Sequence, residues 1–458
     1  MKLTRAIETV FRRYLPSPFT IAVLLTLFTI LLAWITTDAP ESGSHLGSIL
    51  SHWESGIWNN GLLVFAYQMM LILVLGHVLV LSKPVAKLIH KITSLVSSPA
   101  SAALLVALPT MLISFFNWGL GLIFGALLAR KVGQYAQEEG IPINYPLVGA
   151  CGYLGLMVWH GGISGSAPIK ASEEGHINEL MQLSGNQELL SVLPGSIPTS
   201  LTVFSSANLL IFATVVVAIS GMAYYLGRST ITAKTSLPPL SMEQEQETKA
   251  MGSEKLDRSP WLAAVFGLLI LAVFCLQYTS FLAALNITPN MLNFFMLGLA
   301  LLLHGSLAKF GKAVESAIGD TAGILIQFPL YFGIMGIMAG SGMIGDISDF
   351  FASVANSTTL PVLTFFSAGL VNVFVPSGGG QWAVQGPLVL ESAWQLGVPL
   401  PKAIMALAYG DQVTNMLQPF WALPLLAITR LKASEILPYT LIFMILGSVI
   451  YLMGLLLF

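Results

Sequence analysis

The sequence predicts an all-α polytopic membrane protein containing an inverted-topology repeat, with two re-entrant hairpins and two broken helices. Hydrophobic residues make up 55% of the chain and charged residues 9%, whereas a soluble domain carries roughly 25% charged residues. So apolar a chain must expose its surface to lipid. Each half also contains a pair of interrupted apolar segments, and Lys and Arg flank these pairs in opposite ways.

Continuous apolar runs mark the predicted spans, since crossing roughly 30 Å of hydrocarbon takes about 20 residues. They lie near 17–36, 61–82, 145–169, 197–227, 259–280, 288–307, 320–342, 402–428 and 433–457. The polar segment 228–258 separates the halves and is predicted to be a cytoplasmic linker. We therefore divide the chain into a first inverted repeat at 1–227 and an extra helix plus second inverted repeat at 259–458.

The interrupted segments are the most informative feature of the two halves. Asn117-Trp-Gly-Leu-Gly121 is followed by a second break at 153–168, and Asn372 to Gly380 is followed by one at 409–424. This predicts hairpins at about 99–131 and 358–396, with broken helices at about 145–169 and 402–428. Asn to Tyr is 36 residues in one copy and 37 in the other, and Tyr to Pro is 15 in both. Paired broken segments in two halves of a membrane chain point to the substrate site of a secondary transporter.

Basic residues predict the orientation, because Lys and Arg concentrate in cytoplasmic loops. Lys83, Lys87 and Lys91 precede the first hairpin and Arg130 and Lys131 follow its break, so it enters from the cytoplasm. The loop 343–357 before the second hairpin has no Lys or Arg, so that hairpin enters from outside. The N-terminus is then cytoplasmic and the C-terminus periplasmic. Only Lys170 and Lys402 fall on the outer side.

The breaks supply candidate substrate ligands, because backbone groups freed at membrane depth need a partner or a polar cavity. Ser377 and the three glycines after it let the backbone approach a small carboxylate at a helix N-terminus. The alternative is that the glycines only permit close helix packing, which is the favoured interpretation for Gly121 and Gly125. The candidate substrate-binding residues are Asn117, Gly119, Gly121, Gly161, Gly162, Ser164, Ser166, Asn372, Ser377, Gly378, Gly379, Gly380, Gln381, Asn415 and Gln418.

A coupling cation is predicted at polar and ionisable residues of the same breaks, namely Asn117, Asn372, Thr414, Asp411 and His160. The amide oxygens of a matched Asn pair favour Na⁺, whereas H⁺ would need a titratable group such as Asp411 or His160. Three alternatives stay open: Asn117 and Asn372 as helix caps, Asp411 paired with Lys402, and His160 as a polar residue that fills a gap. No organic cofactor and no transition metal are predicted.

Composition and charge also exclude several classes. The net charge is −2. A nucleic-acid-binding protein needs an excess of basic residues to contact phosphates, so this class is excluded. The two cysteines, Cys151 and Cys275, lie in apolar runs and predict neither a disulfide framework nor a metal site. No Arg lies within any break. Carriers of di- or tricarboxylates commonly use bidentate Arg clamps, so the substrate is expected to be a small monoanion. Trp118, Phe374, Trp382, Phe420 and Trp421 flank the breaks and are candidates to enclose a short apolar tail.

The motifs NVFVPSGGGQWAVQGP (372–387), AYGDQ (408–412) and QPFWALP (418–424) resemble the bacterial short-chain fatty acid transporter family, of the acetoacetate/butyrate uptake type. The resemblance covers nearly the whole chain. It is distantly similar to the ion transporter superfamily, which implies an elevator-type transport domain beside a dimeric scaffold, hence a homodimer. In this resemblance some relatives carry Gly in place of His160 and His in place of Gln381, so neither residue would be a universal proton carrier.

We expect a secondary active transporter that imports butyrate- or acetoacetate-like monocarboxylates across the bacterial inner membrane, coupled to a cation. The alternatives are a carrier of another small organic anion, such as an amino acid or a dicarboxylate, and a channel. An intramembrane hydrolase with Ser164 or Ser377 as nucleophile and His160 as base is remote, because the sequence around Ser164 lacks the closing Gly of a nucleophile elbow.

Overall fold

The computed structural model describes residues 16–40, 43–182, 187–229, 237, 252–374 and 377–458, and the regular structure of these residues is helical. Most of the predicted linker 228–258, and the basic residues before Leu15, lie outside the described residues. The helices are α1 Pro18–Thr36, α2 His45–Ile57, α3 Asn60–Val80, α4 Lys83–Thr93, α5 Pro99–Phe116, α6 Trp118–Glu138, α7 Tyr145–Tyr153, α8 Ser166–Ala171, α9 His176–Gln182, α10 Gln187–Val192, α11 Ser206–Ser229, α12 Glu254–Asp257, α13 Pro260–Ala283, α14 Pro289–His304, α15 Leu307–Ala317, α16 Ala322–Gly340, α17 Met343–Val354, α18 Thr359–Phe374, α19 Gly378–Gln395, α20 Leu400–Thr414, α21 Pro419–Thr429 and α22 Ala433–Leu457.

Seven helical stretches of the described chain are long and apolar enough to cross a membrane, which confirms the predicted all-α polytopic class. They are Phe19–Thr36, Asn60–Val80, Pro99–Phe116, Ser206–Arg228, Pro260–Ala283, Leu307–Gly340 and Ala433–Leu457. Their starts follow ordinary capping rules: Asn59 and Ser98 accept side-chain cap bonds, and Pro99 and Pro260 occupy the first turn.

The two halves run through the same order of elements. The first has a long helix (α3), a short helix (α4), a helical hairpin (α5 and α6), a broken helix (α7 and α8) and a closing helix (α11). The second repeats this order with α16, α17, the hairpin of α18 and α19, the broken helix of α20 and α21, and α22. Short 3₁₀ turns at Leu154–Met157 and Asn415–Leu417 follow α7 and α20. The predicted hairpins and broken helices coincide closely with these elements.

Reciprocal packing brings the two halves to one centre. The second arm of each hairpin packs on its own long helix, α6 on α3 and α19 on α16. Each second arm also packs against the far half of the other broken helix, α6 against α21 and α19 against α8. The hairpin tips and the helix breaks therefore meet in a single region rather than forming two separate sites.

Three details of the predicted organisation are wrong. Helix α2 occupies most of the predicted loop 37–60, helix α17 occupies most of the predicted loop 343–357, and α11 begins at Ser206 rather than near 197. Helices α2 and α17 have 13 and 12 residues, too few to span the hydrocarbon, so a search for spans overlooks them. Before α11, residues 200–205 form turns.

Candidate functional site

A narrow cleft, with free room of about 20 Å³, lies where the hairpin tips and the helix breaks meet. Both halves contribute to its wall, together with α3 and α16. The lining residues are Met69, Trp118, Leu156, Trp159, Ser166, Ile324, Phe328, Ser377, Gly378, Gly379, Asn415 and Trp421. None of these side chains is charged, so the cleft is apolar with a few polar groups, as small-molecule sites generally are.

Hydrogen bonds within the protein satisfy the polar groups at the tip of the first hairpin. Asn117 separates α5 from α6, and its Oδ1 accepts the N–H of Leu120 at 2.7 Å. Its Nδ2 donates to the carbonyl of Ile72 at 3.2 Å. The backbone N–H of Trp118 donates to Ser164 Oγ at 2.9 Å. Asn117 therefore acts as a buried helix cap, the alternative left open by the sequence.

The second hairpin has unused backbone donors at the start of α19, beside the cleft. Ser377 caps α19 by accepting the N–H of Gly380 at 3.3 Å. The N–H groups of Gly378 and Gly379 have no acceptor among the described residues, and both residues line the cleft. The N-terminus of this 18-residue helix presents a partial positive charge and free donors, which favour an anion.

Two tryptophans add donors to the same wall. The indole N–H groups of Trp118 and Trp159 are buried and have no hydrogen-bond partner in the described part of the chain. An indole N–H can only donate, and leaving it buried without an acceptor costs about 1 to 3 kcal/mol. An acceptor within reach of both groups, such as a carboxylate, would satisfy them.

His160 and Asp411 form a buried hydrogen-bonded pair behind the cleft, one from each broken helix. His160 Nδ1 bonds Asp411 Oδ2, and the backbone N–H of Ala167 donates to His160 Nε2 at 3.0 Å. Because Nε2 accepts this bond, the ring proton is on Nδ1 and His160 donates to Asp411. Trp159 stacks on the His160 ring with centroids 4.5 Å apart. The open alternative of a pair between Asp411 and Lys402 is not what the structure shows.

Amide side chains surround the backbone of Asp411. Asn372 Nδ2 donates to the carbonyl of Asp411 at 2.7 Å, to Thr414 Oγ1 at 2.9 Å and to Asn415 Oδ1 at 3.1 Å. Gln418 Nε2 donates to the carbonyl of Asn372. Asn372 Oδ1, Gln418 Oε1 and Asp411 Oδ1 are buried without partners among the described residues. These unused atoms are all acceptors, the type of ligand a monovalent cation or a proton takes.

The matched spacing of the two asparagines does not correspond to matched structural positions. Asn117 is the cap at its hairpin break, whereas Asn372 lies inside the last turn of α18 and Ser377 is the cap of the following helix. The tyrosines differ too, since Tyr153 ends α7 while Tyr409 lies within α20. The prediction of Na⁺ rested on a matched pair of asparagines, and the two asparagines are not structurally matched. Asn372 still has an amide oxygen without a partner among the described residues, and the coupling ion stays a prediction.

The other predicted site residues divide into lining and supporting positions. Ser166 and Asn415 line the cleft with Ser377, Gly378 and Gly379. Gln381 faces the interior of its hairpin, where its Nε2 donates to Ala368 O and Gln385 Oε1. Several predicted glycines serve close packing, because a Cβ on Gly119, Gly121, Gly162 or Gly380 would collide with Leu73, Ser114, Phe115 or Tyr331. The N–H of Gly161 donates to Gln412 Oε1 at 2.9 Å.

Part of the lining was not predicted from the sequence. The lining residues absent from the predicted site are Met69, Leu156, Trp159, Ile324 and Phe328. Met69, Ile324 and Phe328 lie within helices α3 and α16, where nothing in an apolar run distinguishes a cleft residue from a core residue. Trp159 was the exception that could have been found, because it directly precedes His160 in the first break.

Comparison with known proteins decides the family. The profile described as "Short chain fatty acid transporter" matches residues 1–458. The chain belongs to the short-chain fatty acid transporter family. An *Escherichia coli* (strain K12) relative, assigned by its name to short-chain fatty acid transport, is 37% identical over 463 residues, covering 100% of this chain and 99% of its own. A *Haemophilus influenzae* relative with the same name is 35% identical, covering 99% of each.

Two solved transporters share the fold of this short-chain fatty acid transporter family member. YdaH from *Alcanivorax borkumensis*, a transporter of unusual topology, matches with a TM-score of 0.56 and 15% identity, over 96% of this chain and 98% of YdaH. MtrF from *Neisseria gonorrhoeae*, which represents a class of antimetabolite efflux pumps, matches with a TM-score of 0.54 and 15% identity, over 98% and 97%.

The family consists of transporters rather than enzymes. The site geometry gives the remote hydrolase no support: both ring nitrogens of His160 are engaged by Asp411 and Ala167, and Ser164 Oγ accepts from Trp118. No hydrogen bond joins a serine to His160 among the described residues.

Proposed function

We propose that this chain is a secondary active transporter that imports short-chain fatty acids, such as butyrate and acetoacetate, across the bacterial inner membrane. One observation carries the proposal: the indole N–H groups of Trp118 and Trp159 and the N-terminus of α19 offer free donors to an apolar cleft that has no charged lining residue. In a wider state of this cleft, a carboxylate would satisfy the donors and a short tail would contact the apolar residues.

The same wall disfavours the alternative substrates. A dicarboxylate would bring a second charge, and the lining offers it no Arg or Lys. An amino acid would bring an ammonium group, and the lining offers no carboxylate. A monocarboxylate with a short aliphatic or keto-substituted tail therefore fits best.

Coupling to a monovalent cation, Na⁺ or H⁺, is assigned to Asp411. Its carboxylate is 1% exposed, one oxygen bonds His160, and the other has no partner in the described residues. A buried carboxylate in this state is strongly disfavoured until a cation binds it. Asn372 Oδ1 and Gln418 Oε1 are the neutral oxygens available for Na⁺, whereas a proton needs only the carboxylate. The cation and the monocarboxylate are then carried together in one direction, which makes the protein a symporter.

The repeated order of elements and the reciprocal packing support an inverted repeat. The hairpins then enter the membrane from opposite faces, with the N-terminus cytoplasmic and the C-terminus periplasmic, and alternating access is elevator-type in a homodimer. Cysteine labelling of residues 83–97 from the cytoplasm only, and of 343–357 from outside only, is the expected pattern. Cytoplasmic labelling of 343–357 would contradict it.

Counterflow tests the transport proposal directly. Proteoliposomes loaded with unlabelled butyrate should accumulate labelled butyrate transiently, because a carrier exchanges the two across one site. Competition by acetate through hexanoate, several amino acids and dicarboxylates measures the preference. Transient accumulation with an amino acid or a dicarboxylate but not with butyrate would reject the assigned substrate, and conduction without counterflow would indicate a channel.

A further inference from the structure

A second cavity, of about 200 Å³, lies at one end of the helices and shares no lining residue with the central cleft. It lies where α11 and α20 begin and where α22 ends. Its lining consists of Leu201, Ser205, Ala207, Asn208, Ile211, Pro399, Pro401, Lys402, Met405, Tyr409, Gly454, Leu455 and Phe458.

Lys402 gives this cavity its chemical character, because it is the one lining residue with a charged side chain. It is also one of the two lysines that the charge pattern places on the outer side. The other, Lys170, is buried and bonds Glu173 and Gln68. Among the described residues Lys402 has no ion pair and no side-chain hydrogen bond. An unpaired ammonium beside an apolar wall suits an anion with an aliphatic tail.

The cavity is connected to the coupling pair through named hydrogen bonds. The Tyr409 hydroxyl donates to Asn208 Oδ1 at 2.8 Å, and Asn208 Nδ2 donates to the carbonyl of Gly161 at 2.9 Å. Gly161 follows His160 in the first break, and Tyr409 lies on α20 two residues before Asp411. A molecule in the cavity therefore contacts residues that hold the break in place.

We propose that this cavity is a second, outer carboxylate site, in which Lys402 binds the carboxylate of a short-chain monocarboxylate and Ile211, Met405 and Leu455 enclose its tail. The identity of the ligand rests on the proposed function, whereas the existence of an anion site does not. A free carboxylate is assigned as its occupant, and an anionic lipid head group is the alternative that the experiment below distinguishes.

Binding stoichiometry of the full-length protein in nanodiscs tests the site. With labelled hexanoate as probe, the parent should bind two molecules per chain. Lys402→Met should lose one of them, or weaken it about tenfold, as expected for one partly exposed charge-assisted bond. Lys402→Arg should restore it. Lys87→Met, which removes an exposed lysine of α4, is the matched control and should bind two.

Each failure has a separate signature. Two unchanged binding events in Lys402→Met, with normal counterflow, would overturn the outer site and leave the transport proposal intact. Two binding events in the parent without counterflow of any acid would overturn the transport proposal and leave the site. If native mass spectrometry shows that Lys402→Met loses an anionic lipid while hexanoate binding is unchanged, the occupant is a lipid head group and the assignment is wrong.

Discussion

The two hairpins have the same architecture but differ in how their polar groups are used. At the first tip, Asn117 uses both ends of its amide and the Trp118 backbone N–H is bonded to Ser164. At the second tip, the N–H groups of Gly378 and Gly379 and the oxygen of Asn372 have no partner among the described residues. The first tip therefore satisfies its polar groups within the protein, whereas the second leaves donors and an acceptor unused. A repeat can therefore preserve its fold while its copies differ in how their polar groups are satisfied.

Replacing Asp411 should have the largest effect, because it removes the buried carboxylate to which we assign cation coupling. Asp411→Asn should lower ion-driven butyrate uptake about 100-fold, near the upper end of typical coupling energies. Uptake into proteoliposomes with imposed Na⁺ or pH gradients measures this. Asp257→Asn, an exposed acidic residue, is the control and should behave as the parent.

Asn372→Ala separates the two ions. If Na⁺ is coupled, the variant should raise the half-saturating Na⁺ concentration because it removes a free oxygen. If H⁺ is coupled, uptake should ignore Na⁺ in the parent as well and collapse only with the pH gradient. Normal gradient-driven uptake by Asp411→Asn would contradict both versions.

Trp159→Phe tests whether the indole donors bind the carboxylate. We expect the half-saturating butyrate concentration to rise roughly tenfold, because one charge-assisted hydrogen bond is lost while most of the ring remains. Trp118→Phe should act in the same way if the first hairpin contributes through its indole. Trp261→Phe, which is 62% exposed in the parent, is the matched control. Equal affinities in all four proteins would remove the indoles from the site.

Asn117→Ala and Ser377→Ala test the contrast between the tips. Asn117→Ala loses a cap and two buried bonds, so it should lower the free energy of unfolding by about 2 to 4 kcal/mol with little change in affinity for the folded fraction. Ser377→Ala loses one longer cap bond at the cleft. It should raise half-saturation a few-fold and cost less than about 1 kcal/mol. Thermal unfolding and uptake kinetics measured on both variants would refute the contrast if the two patterns were exchanged.

Gln381→Leu should have the smallest effect. Although Gln381 was a sequence candidate, its side chain bonds within the second hairpin. We expect less than about a twofold change in butyrate half-saturation, since the lost bonds are local. A change as large as that of Trp159→Phe would show that residues of α19 beyond those lining the cleft contact the substrate.

The sequence predicted those parts of the fold that depend on chain-local signals. Hairpins and broken helices were located because Asn117, Ser377 and Pro419 interrupt apolar runs, and such interruptions are visible without a partner. Helices α2 and α17 were not predicted, since short helices lack the length signal of a span. Within the site, Ser166, Ser377 and Asn415 were found at breaks.

Residues whose role depends on distant partners were not predictable in the same way. The pairing of Asp411 with His160 joins positions 251 residues apart in the chain, and without coordinates Lys402 was an equal candidate. Phe328 and Met69 line the cleft only because α16 and α3 pack beside the hairpin tips. The nearly equal spacing from Asn117 and Asn372 to the tyrosines after them was misleading, because Asn117 follows the end of α5 whereas Asn372 lies inside α18.

The single carboxylate of the His160–Asp411 pair has an energetic consequence if the proposed coupling holds. One cation carried with one monocarboxylate would move no net charge, so the membrane voltage would neither drive nor oppose the complete cycle. Accumulation would then be limited by the concentration gradient of the ion alone, at about tenfold for each 1.4 kcal/mol stored in it. Above that limit the same cycle would run in reverse and carry the acid out.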